Sequence, residues 1–222
     1  MSKHSCVEFS KYEGAGNDFI LIDDRLLSFS LCNPRVIQQL CHRKFGIGAD
    51  GIILLQPSLT AHFRMRIFNS DGSEAESCGN GLRCLGQFLI DLGLPQQPYR
   101  IELIHRTVEI AYTEDGVKID MGTATDVRLH QRVEGYLLHT VNTGVPHAVL
   151  FVDNIDCAPL ETVAPFLRRH LFFQPQGTNV NFAALLPDGS IRIRTYERGV
   201  EAETLACGTG ACAVAAIAKS LY

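Results

Sequence analysis

The 222-residue chain has no long apolar run: the longest uninterrupted one extends only from Ala211 to Ala218, far too short to span a bilayer. The start, Met1 to Phe9, carries no apolar signal-peptide core. Neither a membrane nor export is therefore expected. Charge of one sign is not in excess either. The chain holds 20 Lys+Arg against 24 Asp+Glu, and no basic patch stands out, which argues against nucleic acid as a partner. Low-complexity stretches and charge blocks are missing. With 46% hydrophobic and 20% charged residues, the composition excludes disorder and collagen and fits a folded chain. The length suits one large domain or two small ones.

Cysteine is not scarce. There are eight, which in a small secreted chain would suggest disulfides. Without an export signal, and with a core large enough to need no staples, a reducing cytoplasm is the expected setting. Cys6, Cys32, Cys41 and Cys157 then read as scattered core or surface thiols. The other four fall in two similar phrases, Cys78-Gly79-Asn80-Gly81-Leu82-Arg83-Cys84 and Cys207-Gly208-Thr209-Gly210-Ala211-Cys212. Each phrase leads into an apolar helical pattern: Leu82, Leu85, Leu89 and Leu92 with a stop at Gly93 in the first, and Ala211, Val214 or Ala215, Ala218 and Leu221 in the second. Both helices carry little charge, which suits the centre of a domain.

The repetition extends outward. Asn33-Pro34 predicts a cap and first turn for a helix carrying Val36, Ile37, Leu40 and Cys41; Leu160, Val163 and Leu167 outline a weaker counterpart that contains Pro165. A glycine-marked phrase follows each, Gly46 to Gly51 and Gly177 to Asn181. Alternating strands come next, Phe63 to Phe68 and Ser190 to Tyr196. Arg100 to Ile104, Thr107 to Tyr112 and Val117 to Met121 add further strands. The expected fold is α/β, with two pseudo-symmetric halves, 1–122 and 123–222, each a barrel-like sheet wrapped around one buried helix. The first phrase is followed by three predicted strands and the second by none, so the second half is expected to lack its closing C-terminal strands and to leave one side of its helix uncovered.

A cysteine just before a helix sits where free N–H groups and the helix dipole favour thiolate. The glycines after it let backbone N–H groups approach an anion. One such site suggests a nucleophile or a carboxylate cradle. Two, one per half, suggest a shared ligand in a cleft, with a thiolate on one face of a carbon and a thiol on the other moving a proton with inversion. The helix ends would bind the carboxylate and stabilise the charge that develops beside it. Zinc fits less well: the spacings are Cys-x5-Cys and Cys-x4-Cys, with the second cysteine of each pair inside a helix, where Cys84 and Cys212 read as packed apolar thiols. A cysteine-protease reading leaves the duplicated phrase unexplained.

Taken together, these phrases resemble the diaminopimelate epimerases, within the cofactor-independent two-cysteine racemases and epimerases. The resemblance is carried by Gly14-Ala15-Gly16-Asn17-Asp18-Phe19, Gly46-Ile47-Gly48-Ala49-Asp50-Gly51, Phe68-Asn69-Ser70-Asp71-Gly72-Ser73-Glu74 and the first cysteine phrase. It continues through Gly144-Val145-Pro146-His147, Gly177-Thr178-Asn179-Val180-Asn181, Glu197-Arg198-Gly199 and Ala206-Cys207-Gly208-Thr209-Gly210. It implies interconversion of LL- and meso-diaminopimelate, on the route to lysine and peptidoglycan, with no cofactor, neither pyridoxal phosphate nor metal. It also implies residue roles. Cys78 and Cys207 match the catalytic thiols. Gly79, Asn80, Gly208 and Thr209 match the carboxylate cradle. Asn17, Asn69 and Asn179 match substrate-binding amides. Glu197 and Arg198 match a substrate-binding pair, and Glu197 with His147 matches the groups that set thiol protonation.

The residue types alone support blander roles. The three asparagines sit in turn-rich phrases where Asn often serves only backbone geometry. Glu197-Arg198 alone would be a solvated pair, and His147 a surface or core histidine. Asp50, Asp71 and Glu74 are assigned to turns and structure. Against the family pattern, Val145 stands where many relatives place a substrate-contacting asparagine and Gly51 where some place glutamine, which bears on the distal pocket; the stretch from Glu197 to the second cysteine is one residue longer. The partner expected is a small amino acid, and the expected assembly a homodimer. The alternatives are a racemase of another amino acid, such as glutamate or proline, on the same fold, and a non-catalytic thiol or metal-binding protein.

Overall fold

Strands β1 (Ser10–Gly14) and β2 (Asn17–Asp23) form a hairpin whose two turn residues, Ala15 and Gly16, both take positive φ, the geometry that matches the twist of the paired strands. The computed structural model describes residues 7–29, 33–76 and 78–222; Cys6 and Cys32, and Met1 to Cys6 of the chain start, lie outside them. Two compact units result, Met1–Asp120 and Met121–Tyr222.

In the first unit, helix α1 (Pro34–Cys41) carries the chain from β2 to β3 (Gly51–Gln56), which pairs parallel with β2. Asn33 caps α1 through its side chain, which accepts from the Arg35 N–H at 3.0 Å, and Pro34 opens it. Antiparallel β4 (Phe63–Asn69) and short β5 (Glu74–Ala75) precede α2 (Gly79–Asp91). Then come β6 (Tyr99–Glu102), β7 (Thr107–Thr113) and β8 (Gly116–Ile119), slightly shifted from the predicted ranges. The sheet order is β1-β2-β3-β4-β6-β7-β8. Helix α2 touches β1, at one edge of that order, and β8, at the other, so the sheet curls around it.

The curl explains the composition of the strands. On β2 and β3, Phe19, Leu21, Ile53 and Leu55 point inward to Leu82, Leu85 and Leu89 of α2. Ile20, Ile22, Ile52 and Leu54 point outward to Ile37 and Cys41 of α1. A strand buried on both faces reads as a continuous apolar run, as Ile52 to Leu55 does.

The second unit repeats the parallel crossover and the cysteine-led helix, on a six-stranded sheet with no strand after that helix among the described residues. β9 (Thr125–Val133), β10 (Tyr136–Asn142) and β11 (Pro146–Phe151) lead through α3 (Leu160–Arg169) to β12 (Asn179–Leu185), parallel with β11. β13 (Ile191–Glu197), β14 (Ala202–Thr204) and α4 (Gly208–Leu221) follow. Here α4 packs on Val141, Val149 and Ala183, and α3 covers the other face through Leu160, Val163, Ala164 and Leu167. The buried face of α4 is Gly210, Ala213, Val214 and Ile217, whereas Ala211 and Ala215 are exposed. The face lies one residue away from the one the sequence pattern predicts. An alanine-rich helix has small side chains all round, so its pattern offers little contrast between faces.

The repeat reaches single residues. Phe19 pairs with Gly51 and Gly51 with Asn69; His147 pairs with Asn179 on the matching strands. Arg66 and Glu74 form an ion pair across β4 and β5 at 2.7 Å, and Arg194 and Glu203 repeat it across β13 and β14, also at 2.7 Å. Among the described residues, no helix is long and apolar enough to cross a membrane.

Candidate active site

Each cysteine phrase folds into the same local structure. Cys78 has extended backbone (φ −148°, ψ 114°) and is the N-cap of α2; Cys207 (φ −127°, ψ 107°) is the N-cap of α4. Their carbonyls accept the first helical bonds, from Leu82 N and Ala211 N, each at 2.9 Å. Sulfur takes the place of the usual cap oxygen. Cys78 Sγ accepts from the Gly81 N–H at 3.4 Å and Cys207 Sγ from the Gly210 N–H at 3.3 Å. Neither helix has an acidic residue in its first turn. The N–H groups of Gly79 and Asn80, and of Gly208 and Thr209, have no partner within their helices, so both ends suit an anion. No side chain would clash at Gly208, which has nothing within 4 Å of a Cβ position, so there the glycine leaves room for a ligand.

Around Cys78, the structure brings Asn17 into place. The Cys78 thiol donates to Asn17 Oδ1 at 3.8 Å, and Asn17 Nδ2 donates to Asp50 at 2.8 Å. Asp50 is also paired with Arg43 at 2.6 Å. Asp50, a turn residue by its sequence setting, thus fixes which end of the Asn17 amide faces the thiol. Asn69 is exposed at the end of β4 and donates to the Ser73 hydroxyl at 3.0 Å. Asn80 is buried and accepts from Arg83 at 2.6 Å. Buried Cys84 packs behind, its thiol pushed up to about 11, mostly by burial. Gly51 is no open pocket position: a Cβ there would lie 2.5 Å from the Phe68 carbonyl oxygen, so glycine is required for β3 to approach β4.

Around Cys207, the groups are polar too. Burial pushes its thiol up from the ordinary value, and the neighbouring Glu197 carboxylate pushes it further; the Thr209 hydroxyl, 3.4 Å away, and the Gly210 N–H pull the other way. The helix end alone argues for a downward shift, and burial outweighs it here. Thr204 donates to the Glu197 carboxylate at 2.5 Å, and Thr143 donates to the Thr209 carbonyl at 2.9 Å. Asn179 accepts from the Arg198 backbone N–H at 2.7 Å, and the Arg198 guanidinium donates to the Gln176 carbonyl at 2.9 Å. Cys212 is half-buried, less enclosed than a packed core thiol.

His147 is enclosed in the second unit. It is 1% exposed, on the α4-facing side of β11, and burial with nearby Arg198 pushes its pKa down to about 4. It is therefore neutral near pH 7 and does not switch there. It contacts Asn181, which in turn accepts from Thr195, both buried and neither given a role by the sequence motifs. The two-residue spacing of Asn179 and Asn181 is a usable signal, since alternate strand residues share a face. Among the described residues, no group of three or more His, Cys, Asp or Glu side chains is placed to hold a metal ion.

This architecture occurs among solved structures. A Bacillus anthracis phenazine biosynthesis protein of the PhzF family matches with TM-score 0.73 at 16% identity, covering 95% of this chain and 79% of that one. A probable proline racemase from Agrobacterium radiobacter matches with TM-score 0.66 at 15% identity, covering 97% and 77%. At such identities the likeness is one of fold, and it defines the class: paired α/β units of the kind found in PhzF-type proteins and proline racemases. Sequence narrows it. The diaminopimelate epimerase family profile matches residues 9–127 and 139–222. The diaminopimelate epimerase of Archaeoglobus fulgidus is 41% identical over 97% of this chain and 82% of its own length, and that of Methanocella arvoryzae 42% over the same shares. The chain belongs to the diaminopimelate epimerase family.

Proposed function

We infer that the chain interconverts LL- and meso-diaminopimelate, and that Cys78 and Cys207 carry the reaction as a thiolate–thiol pair. The observation that carries the residue assignment is the duplicated sulfur-capped helix, one per unit, each with an acid-free first turn. In the forward direction one thiolate takes the α-proton from one face. The other thiol gives its proton to the opposite face, and the two sulfurs exchange protonation states. Between these events the electron pair spreads into the α-carboxylate, held by the N–H groups of Gly79, Asn80, Gly208 and Thr209. Asn17, Asn69, Asn179, Glu197 and Arg198 bind the remaining polar groups, Arg198 as a fixed-angle partner for a carboxylate. Glu197 sets the protonation of Cys207 by its negative charge, in keeping with the raised thiol.

The setting we propose is a reducing cytoplasm, in keeping with Cys41, Cys78, Cys84, Cys157, Cys207 and Cys212, which form no disulfide among the described residues, and the assembly a homodimer, to be checked by sedimentation. The test of the reaction is α-proton exchange into deuterated water across a panel of amino acids. Exchange with diaminopimelate should dominate, and Cys78→Ser and Cys207→Ser should each lower it by about 10²–10⁴-fold. Near-normal turnover by either variant removes the two-thiol assignment.

A second reading concerns breadth. By strand register Val145 is the counterpart of Asn17 and brings no polar group. One absent bond to a charged group is worth about 1.5–3 kcal/mol. Val145→Asn should sharpen the preference for diaminopimelate over glutamate, and an unchanged ratio, with no exchange on glutamate by the parent, excludes the looser pocket.

A further inference from the structure

We propose that Asn181 is a positioning residue that fixes the ring proton of His147 on Nε2, so that His147 serves the reaction as a neutral hydrogen-bond donor and not as a base. The proposal rests on the two-thiol epimerase reading above. The first step is the orientation of the amide. Asn181 is fully buried on β12. Its Nδ2 lies 3.0 Å from the Ala148 carbonyl oxygen, which can only accept, so this end of the side chain is the NH2 group. The other end agrees, since Thr195 Oγ1 donates to Oδ1 at 2.9 Å.

The second step is the ring. The same Nδ2 lies 3.1 Å from His147 Nδ1. An NH2 group has no lone pair to offer, so Nδ1 must be the acceptor, and a neutral imidazole then carries its proton on Nε2. Nε2 is buried and has no hydrogen-bond partner among the described residues. A buried unmet N–H is costly and calls for a group that arrives later. Burial and the Arg198 cation disfavour a second ring proton, so the ring meets that group as N–H donor. Arg198 is the charged group that acts on the ring, and Glu197 of β13 and Cys207 of α4 act on one another on the inner face of the same unit.

The third step ties the device to the thiol. Asn181 Oδ1 stands 2.5 Å from where a Cβ on Gly210 would be, and Gly210 N–H is the donor to Cys207 Sγ. One amide thus sets the tautomer of His147 and seats the first turn of α4. The scaffold does not demand this polarity, because the matching positions of the first unit, Phe19, Ile53 and Ile67, are apolar.

Nitrogen-15 NMR of the full chain labelled at histidine tests the tautomer without reference to activity. The His147 signals, assigned by their loss in His147→Gln, should show an unprotonated Nδ1 and a protonated Nε2 at pH 7. A proton on Nδ1 in the parent overturns the proposal. Asn181→Asp replaces the NH2 by an acceptor and should move the proton to Nδ1 or charge the ring. kcat should then fall by about 10²–10⁴-fold with KM little changed, and the pH profile should shift. A moved proton with unchanged kcat and pH profile also overturns it. Thr195→Val, which keeps both Nδ2 contacts, should retain the parent tautomer. If Asn181→Asp does not fold, the parent spectrum decides alone. If the parent fails to epimerise diaminopimelate, the activity reading falls while the spectrum still decides the tautomer.

Discussion

Against Gly81 in the first turn of α2 stand Ile53, Met65 and Ile67; against Gly210 in the first turn of α4 stands Asn181, backed by Thr195 and His147. The backbones correspond in register and in cap geometry, down to the sulfur–N–H bond of each cysteine. The floors under them do not. An apolar floor can only pack. A polar one, fully satisfied, fixes the orientation of every group in it, and any break leaves a buried group unmet. The repeat therefore supplies the thiol's position in both units, while control of its surroundings was built differently in each.

Replacing His147, Asn181 and Thr195 by Phe, Ile and Ile gives the second unit the floor of the first. The triple variant should keep its far-ultraviolet dichroism but lose epimerisation by about 10²–10⁴-fold. Retained turnover would mean that the two floors are interchangeable.

Much of the fold, and the local structure of the candidate site, is legible in the amino-acid sequence. A Cys-Gly-polar-Gly phrase before an apolar helical pattern is local, and local signals survive folding: both cysteines cap as expected. What is not legible comes from pairing. His147, Asn181 and Thr195 meet only because β11, β12 and β13 lie side by side. Asp50 finds Asn17 through the β2–β3 crossover. The raised thiol of Cys207 depends on burial, which a motif does not reveal.

The next contrast is in pH dependence. His147 is held near pKa 4 in the folded chain against an ordinary 6.5, so between those values the unfolded chain binds the extra proton. Stability should fall as pH drops from about 6.5 to 4, by roughly 3 kcal/mol at most, at 1.36 kcal/mol per unit. Phe19 contributes nothing of the kind. Urea unfolding at a series of pH values should show a shallower slope in His147→Phe than in the parent; equal slopes would place the ring in water.

Smaller effects test the glycines. In Gly81→Ala the new Cβ would meet Ile53 Cδ1 at 2.9 Å, a flexible side-chain end; in Gly210→Ala it would meet Asn181 Oδ1 at 2.5 Å. Both should cost about 1–3 kcal/mol by overpacking, measured by thermal unfolding. Only Gly210→Ala should also alter the His147 spectrum.

Smallest of all are the matched ion pairs. Arg66–Glu74 and Arg194–Glu203 are partly exposed and alike in length, so double-mutant cycles should give equal couplings of about 0.2–1 kcal/mol. Unequal couplings would show that the repeat is one of shape more than of energy.

The curl of the first sheet has a consequence in time. Helix α2 precedes β6, β7 and β8 in the chain, yet its far side is covered by them: Tyr112 donates to the Gly86 carbonyl at 2.9 Å, and a Cβ on Gly86 would lie 2.5 Å from Val117 Cγ1. During synthesis the helix leaves the ribosome before its cover exists. Its apolar face must wait for a late-made strand to dock against a residue with no side chain. Contacts of such separation form slowly, and the waiting surface is where a nascent chain would meet a chaperone or another copy of itself.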